Sequence, residues 1–356
     1  MRTAEASAVG RPAAGAGMPL LVRAARREQV EHRPVWFMRQ AGRSLPEYRT
    51  IRERYDLFTI CQNPELCAEV TSQPVRRLGV DGAVLFADIM LPVKFGLGVE
   101  LRLVDGVGPV VEHPITGQAD IDRLQRRAPD EAVPFVLDTI RLLRKELSPQ
   151  VAVIGFGGAP FTLAGYLIEG KPSREFLKTK AMMYGQPAIW HSLMERLSEL
   201  VKEYLLAQVA AGAQVVQLFD SWVGALSPDD YRRYVLPYTM AIFAALKAAA
   251  APTIHFATGA AGLLPLLRDA GGDVMGVDWR IDLGDAWRAI GYERGIQGNL
   301  DPAVLLAPWP VIEDGARRVI EAAGNRPGHI FNLGHGVLPA SPVAHLQRLV
   351  EFVHAS

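Results

Sequence analysis

The chain has 356 residues, 49% hydrophobic and 21% charged, a length and balance that fit one large globular enzyme domain or two ordinary ones. Lys plus Arg and Asp plus Glu are equal at 38, which excludes a nucleic-acid or anionic-membrane footprint spread over the whole surface and makes any basic site local. No apolar run reaches the roughly 18 residues of a membrane span, the N-terminus lacks the compact apolar core of a secretory signal, and a cytoplasmic protein is expected.

Residues 1–18 are rich in Ala and Gly and poor in large apolar side chains, so they are expected to stay disordered, leaving 19–356 as one folded domain. The stretch 33–39 (RPVWFMR) reads as a buried strand that stops at Arg39, and Arg43 follows four positions later. Gln40, Ala41 and Gly42 lie between the two arginines, where small residues let backbone amides approach a ligand. Two guanidiniums there form an anion clamp. The same spacing also occurs on solvated helix starts, but attachment to a strand end favours the clamp. Cys61 and Cys67 fall six apart in one predicted helix, on roughly opposed faces, and are expected to be reduced packing residues. With no Cys-x-x-Cys or His-x-Cys element, no zinc site is expected.

Seven further apolar runs follow, at 81–87, 151–157, 214–220, 252–257, 273–279, 295–300 and 329–334, most of them trailed by a turn and a helical pattern. Eight such units predict an α/β fold of the (β/α)8 TIM-barrel type. A doubly wound open sheet is the rival, but neither a Gly-x-Gly-x-x-Gly nor a P-loop follows the first strand. The segment 94–114 breaks the rhythm and predicts a hairpin inserted after the second strand, turning at Asp105-Gly106. Leucines at helical spacing predict a helix over 187–211, and Ser227-Pro228 opens another.

In a barrel the strand ends open on one face, so Arg39, Arg43, Asp88, Gly157-Gly158, Asp220-Ser221 and His335 should gather at one mouth. Phe86, Phe156 and Phe219 would floor it, an arrangement suited to a large, flat, polyanionic ligand. The glycines flanking His335 suggest close approach of that ligand, whereas His191 and His255 read as structural.

The motifs RPVWFMRQAGRSLPEYR at 33–49, FADI at 86–89, GFGGAPFTLAGYLIEG at 155–170, QLFDSWVGALSP at 217–228, QGNLDP at 297–302 and FNLGHGVLP at 331–339 together resemble the uroporphyrinogen decarboxylase family. The resemblance runs from about residue 19 to the C-terminus. Ser44 departs from it, standing where an aromatic, usually tyrosine, is expected beside the clamp. The resemblance implies a cofactor-free carboxy-lyase of heme biosynthesis that needs no metal. It implies conversion of the four acetates of uroporphyrinogen III to methyls, giving coproporphyrinogen III and four CO2. It also implies that Asp88 accepts the pyrrole N–H groups and stabilises a cationic intermediate. Arg39, Gln40, Ala41, Gly42 and Arg43 would then hold carboxylates, with Arg39 a candidate for handling the proton. Tyr166, Ser221 and His335 would complete substrate binding, in a homodimer. Two readings compete: a barrel methyltransferase of the cobalamin or methionine synthase type, which needs a thiolate and histidine zinc site although no cysteine lies beyond 67, and a non-catalytic tetrapyrrole carrier.

Overall fold

The computed structural model describes residues 17–42, 44–104 and 106–356. Arg43, Asp105 and residues 1–16 lie outside the described residues, and with them the second arginine of the clamp and most of the segment expected to be disordered. In chain order the strands are β1 (Gly82–Val84), β2 (Leu101–Val104), β3 (Gly108–Val111), β4 (Ala152–Gly158), β5 (Val215–Asp220), β6 (Thr253–Ala257), β7 (Val274–Gly276), β8 (Gly295–Leu300) and β9 (His329–Leu333). All but β2 and β3 join one parallel sheet in the order β1-β4-β5-β6-β7-β8-β9. These strands are buried almost throughout, which is why they read as continuous apolar runs instead of alternating ones. β2 and β3 pair antiparallel, with Leu101 opposite Val111, as the inserted hairpin.

The first predicted strand closes the ring, but in a reduced form. Val35 bridges Phe331 in parallel, the Phe331 N–H donates to the Pro34 carbonyl at 2.9 Å, and the Trp36 N–H donates to Phe331 at 3.3 Å. On the other side the Asp81 N–H donates to the Val35 carbonyl at 2.9 Å. Residues 34–36 therefore lie between β9 and β1 as the eighth station of a TIM-type barrel. Beyond Trp36 no ladder forms, because side chains take over. Gln40 Oε1 accepts the Phe37 N–H at 2.9 Å, Asn332 Oδ1 accepts the Met38 N–H at 3.2 Å, and Gln40 Nε2 donates to the Gly82 carbonyl at 2.7 Å. Buried backbone groups need partners, and these amides supply them without holding the chain straight.

Inside the barrel Trp36 Nε1 donates to Gln297 Oε1 at 3.0 Å, and Gln297 Nε2 donates to Gln217 Oε1 at 2.9 Å. This buried chain ties the closing segment to β8 and β5 and fixes its register. Outside, the helix Pro187–Ala211 spans the predicted residues and buries Trp190, Leu193, Leu197, Val201 and Leu205. Gly212, at φ 118°, ends it. The Ser227 hydroxyl caps the helix Pro228–Tyr234 by accepting the Asp230 N–H at 3.1 Å. No helix among the described residues is long and apolar enough to cross a membrane.

One expectation is corrected. The stretch holding both cysteines is two helices, Leu57–Gln62 and Pro64–Leu78, broken where Pro64 cannot continue the first and Asn63 caps the second. Cys61 and Cys67 therefore do not point to opposed faces. Both thiols converge on the Phe86 carbonyl, at 3.8 and 3.0 Å, and both are free.

Candidate active site

Two residues before Asp88, the chain leaving β1 is passed from the sheet to the helix Pro64–Leu78. Leu85 still donates to Ile154, but the Phe86 N–H donates to Thr71 Oγ1 at 2.9 Å and the Phe86 carbonyl takes the two thiols. This fixes the backbone from which Asp88 projects. Asp88 is partly exposed, and its Oδ1 accepts the Met90 N–H at 2.8 Å. Burial pushes its carboxyl above the usual range, opposed by the Met90 hydrogen bond and by the charge of Arg39.

Arg39 sits at φ 59°, a left-handed conformation uncommon for a side-chain-bearing residue, and its side chain is exposed. The turn is permitted because the preceding amides are already bonded to Gln40 and Asn332. A methyl added at Gly336 would lie 2.5 Å from Arg39 Cδ and 2.7 Å from Cγ, so this glycine makes room for the arginine stem. Gly334 abuts the Trp279 backbone. The glycines around His335 thus make room for the chain itself.

His335 is partly buried, and its imidazole is lowered to about 4 by burial, then by the charges of Arg39 and Arg280, with Asp278 opposing. It is neutral at pH 7. Tyr166, on the helix Pro160–Glu169, is pushed up to about 12 by burial and by Asp88, with Arg39 opposing, so its phenol keeps its proton. Its ring leans on Trp222 at 4.3 Å between centroids, and Trp222 follows Ser221, which is half-buried at the end of β5. The charge of Arg39 thus reaches Asp88, Tyr166 and His335, and that of Asp88 reaches Tyr166.

Gln40 is different: both polar atoms of its side chain are committed to the barrel wall. Ala41 is partly exposed beside it, and Gly42, at φ 146°, occupies a backbone conformation that suits glycine. Ser44 is buried, with no partner for its hydroxyl among the described residues. Asp220 is withdrawn into the core, 3.4 Å from His255 Nε2. Phe156, Phe219 and Phe256 meet edge to face at 5.4 and 5.7 Å across β4, β5 and β6.

Sequence reasoning missed Asp278 and Arg280. β7 stops at Gly276, and the buried Asp278 carboxylate accepts the Gly259 N–H at 2.7 Å and pairs with the Arg280 guanidinium, which stacks on Trp279 at 4.0 Å. Asn299 Nδ2 holds this loop by donating to the Asp278 and Ile281 carbonyls, both at 2.8 Å. The signal was present as Asp278-Trp279-Arg280 at a predicted strand end, where the apolar run continues three residues past the strand.

The family model described as Uroporphyrinogen decarboxylase (URO-D) matches residues 17–356. A uroporphyrinogen decarboxylase of Thermus thermophilus is 54% identical over 334 residues, 94% of this chain and 97% of the relative. That of Carboxydothermus hydrogenoformans is 50% identical over 333 residues, 94% of this chain and 95% of the relative. Among solved structures, a methyltransferase from Methanosarcina mazei aligns with a TM-score of 0.77 at 21% identity, covering 94% of this chain and 96% of its own, which is a likeness of fold alone. Sequence identity of this extent across nearly the whole length decides the matter: the chain belongs to the uroporphyrinogen decarboxylase family.

Proposed function

We propose that the mouth holding Arg39, Asp88, Tyr166, Ser221 and His335 is where this chain carries out its family's reaction. That reaction is uroporphyrinogen decarboxylation, a carboxy-lyase step of porphyrin and heme biosynthesis. The observation that carries the assignment is that the charge of Arg39 reaches a carboxylate, a protonated phenol and a neutral imidazole, with Gly336 packed against the Arg39 stem beside His335. A tetrapyrrole with a central set of N–H donors and a rim of carboxylates is the complement of that set.

Loss of an acetate carboxylate as CO2 leaves an electron pair that needs a sink. A pyrrole protonated on a ring carbon supplies one. The C–C bond breaks, its electrons enter the cationic ring, and the exocyclic carbon then takes a proton to become methyl as the ring proton departs. Each acetate consumes one proton overall. Asp88 accepts pyrrole N–H groups and its charge stabilises the cation, an effect worth most where water is excluded. Arg39 and Arg43 bind rim carboxylates, each charge-assisted bond contributing roughly 1.5–3 kcal/mol. Arg39 is also nearest to the proton-handling role, although a guanidinium is a weak acid at neutral pH. Tyr166, Ser221 and His335 donate to the remaining carboxylates, while Gln40, Ala41 and Gly42 shape the turn that presents Arg39.

We assign the four acetates of uroporphyrinogen III as substrate groups and coproporphyrinogen III as product, in a cytoplasmic homodimer whose subunits each comprise one domain from residue 19. The methyltransferase reading fails on donors, because both cysteines lie beneath the Phe86 carbonyl rather than at the mouth. Anaerobic incubation with reduced uroporphyrinogen, followed by chromatography, tests the assignment. The four-carboxyl product and its partly decarboxylated precursors are expected. Their complete absence would leave the carrier reading standing. Sedimentation at low protein concentration tests the dimer.

A further inference from the structure

The barrel face opposite the mouth gathers three ligand-type side chains that decarboxylation does not use. Asp81 stands immediately before β1, His32 precedes the closing segment, and His354 ends the last helix, Val343–His354. His354 Nε2 lies 2.8 Å from Asp81 Oδ2, and His32 Nε2 lies 3.7 Å from Asp81 Oδ1. The imidazole centroids are 4.5 Å apart, and one ligand atom from each residue falls within 4.8 Å of the others. The side chains of His32 and His354 are 33% and 28% exposed, so an ion has a path in.

We propose that His32, Asp81 and His354 bind one divalent transition-metal ion of the zinc, cobalt or nickel class, which fastens the seam where the barrel closes. Two imidazoles and a carboxylate suit such ions, with water completing the shell. Metal–ligand bonds of about 2.0–2.2 Å place tetrahedral ligand atoms roughly 3.3 Å apart. The two observed spacings to Asp81 bracket that value, so small side-chain rotations close the site. The carboxylate is already oriented, because Asp81 Oδ2 also accepts the Val35 N–H at 2.8 Å, the kind of outer hydrogen bond that steadies a metal-ligating carboxylate. On binding, the ion takes the place of the hydrogen between His354 Nε2 and Asp81 Oδ2.

The three ligands come from chain segments far apart in sequence that meet at the seam. Val35 and Asp81 are joined by two hydrogen bonds, one from the Asp81 N–H to the Val35 carbonyl and one from the Val35 N–H to the Asp81 carboxylate. An ion held there ties the closing segment, the start of β1 and the C-terminal helix together. Asp88 is roughly 20 Å away along extended chain, so the ion stabilises the fold without entering the chemistry.

The test uses the full chain without an affinity tag, stripped with a chelator and titrated calorimetrically with zinc, with cobalt binding followed by visible absorption. One ion per chain is expected, with a rise in melting temperature that chelator reverses. His32→Ala and His354→Ala should each weaken binding roughly tenfold or more. His113→Ala, in the exposed pair with Glu100 on the hairpin, should bind as wild type. If His354→Ala fails to fold, as judged by circular dichroism, His32→Ala alone decides. Wild type that binds neither ion would overturn the proposal. So would wild-type zinc affinity in His32→Ala, as expected if the ion went to Cys61 and Cys67 instead.

Discussion

The chain leaving β1 and the end of β5 each present a carboxyl that burial pushes upward, and the two are handled in opposite ways. Asp220 is fully enclosed, with His255 at 3.4 Å as its counter-group. Asp88 is partly exposed, has one backbone N–H on Oδ1, and feels a guanidinium and a phenol around the mouth. An enclosed acid matched to an imidazole serves the fold. The partly exposed acid among unlike polar groups, on a backbone fixed by Thr71 and two thiols, is the one we propose to meet the substrate. Position at a strand end does not separate them; the partner does.

Three perturbations sharpen or break this contrast. The largest is in stability: Asp220→Ala removes the oxygen that faces His255 Nε2 in the core and should cost about 1–3 kcal/mol in urea unfolding. Asp88→Ala should cost far less, and equal losses would abolish the distinction. Next is Gly336→Ala, whose methyl collides with the Arg39 stem. Turnover should fall roughly tenfold with the fold retained, since small misplacements near the reacting groups are costly. An unchanged rate would show that the position of Arg39 is not constrained from this side.

The smallest effect is a pH slope. The imidazoles of His335 and His329 are lowered to about 4 and about 3, in each case chiefly by burial. Unfolded imidazoles titrate near 6.5, so between about pH 4 and 6.5 the unfolded chain binds more protons than the folded one. Stability therefore rises with pH across that window and levels off above it. His335→Gln should flatten the slope, measured as unfolding free energy at a series of pH values. An unchanged slope would mean that His335 is not held neutral.

Much of this was legible in the sequence because the signals were local and redundant. The seven later apolar runs became strands, and the helix over 187–211 and the inserted hairpin formed where periodicity and turn residues placed them. Asp88, Ser221 and His335 stood out because they lie within a few residues of strand ends, whereas Tyr166, inside the helix Pro160–Glu169, was singled out by its motif. What escaped depended on long-range partners. Gln40 looked like part of a ligand loop, yet its amide bonds to Phe37 and Gly82. Asn332, nearly 300 residues away, supplies the oxygen that lets residues 37–39 leave the ladder. The break at Asn63-Pro64 was a local signal overlooked, whereas the meeting of both thiols on Phe86 could not be read from spacing. Asp278 and Arg280 were hidden by an apolar run that ends early because Asp278 turns to hold Gly259.

The most direct test of the account is Asp88→Asn assayed anaerobically with reduced uroporphyrinogen at neutral pH, alongside tetrapyrrole binding and circular dichroism. Asparagine keeps the shape and removes the charge. An intact fold, retained binding and turnover lower by roughly 10²–10³-fold are expected, the usual cost of removing one preorganised electrostatic group. Full turnover by this variant would contradict this, because the cationic intermediate would then owe nothing to the Asp88 carboxylate.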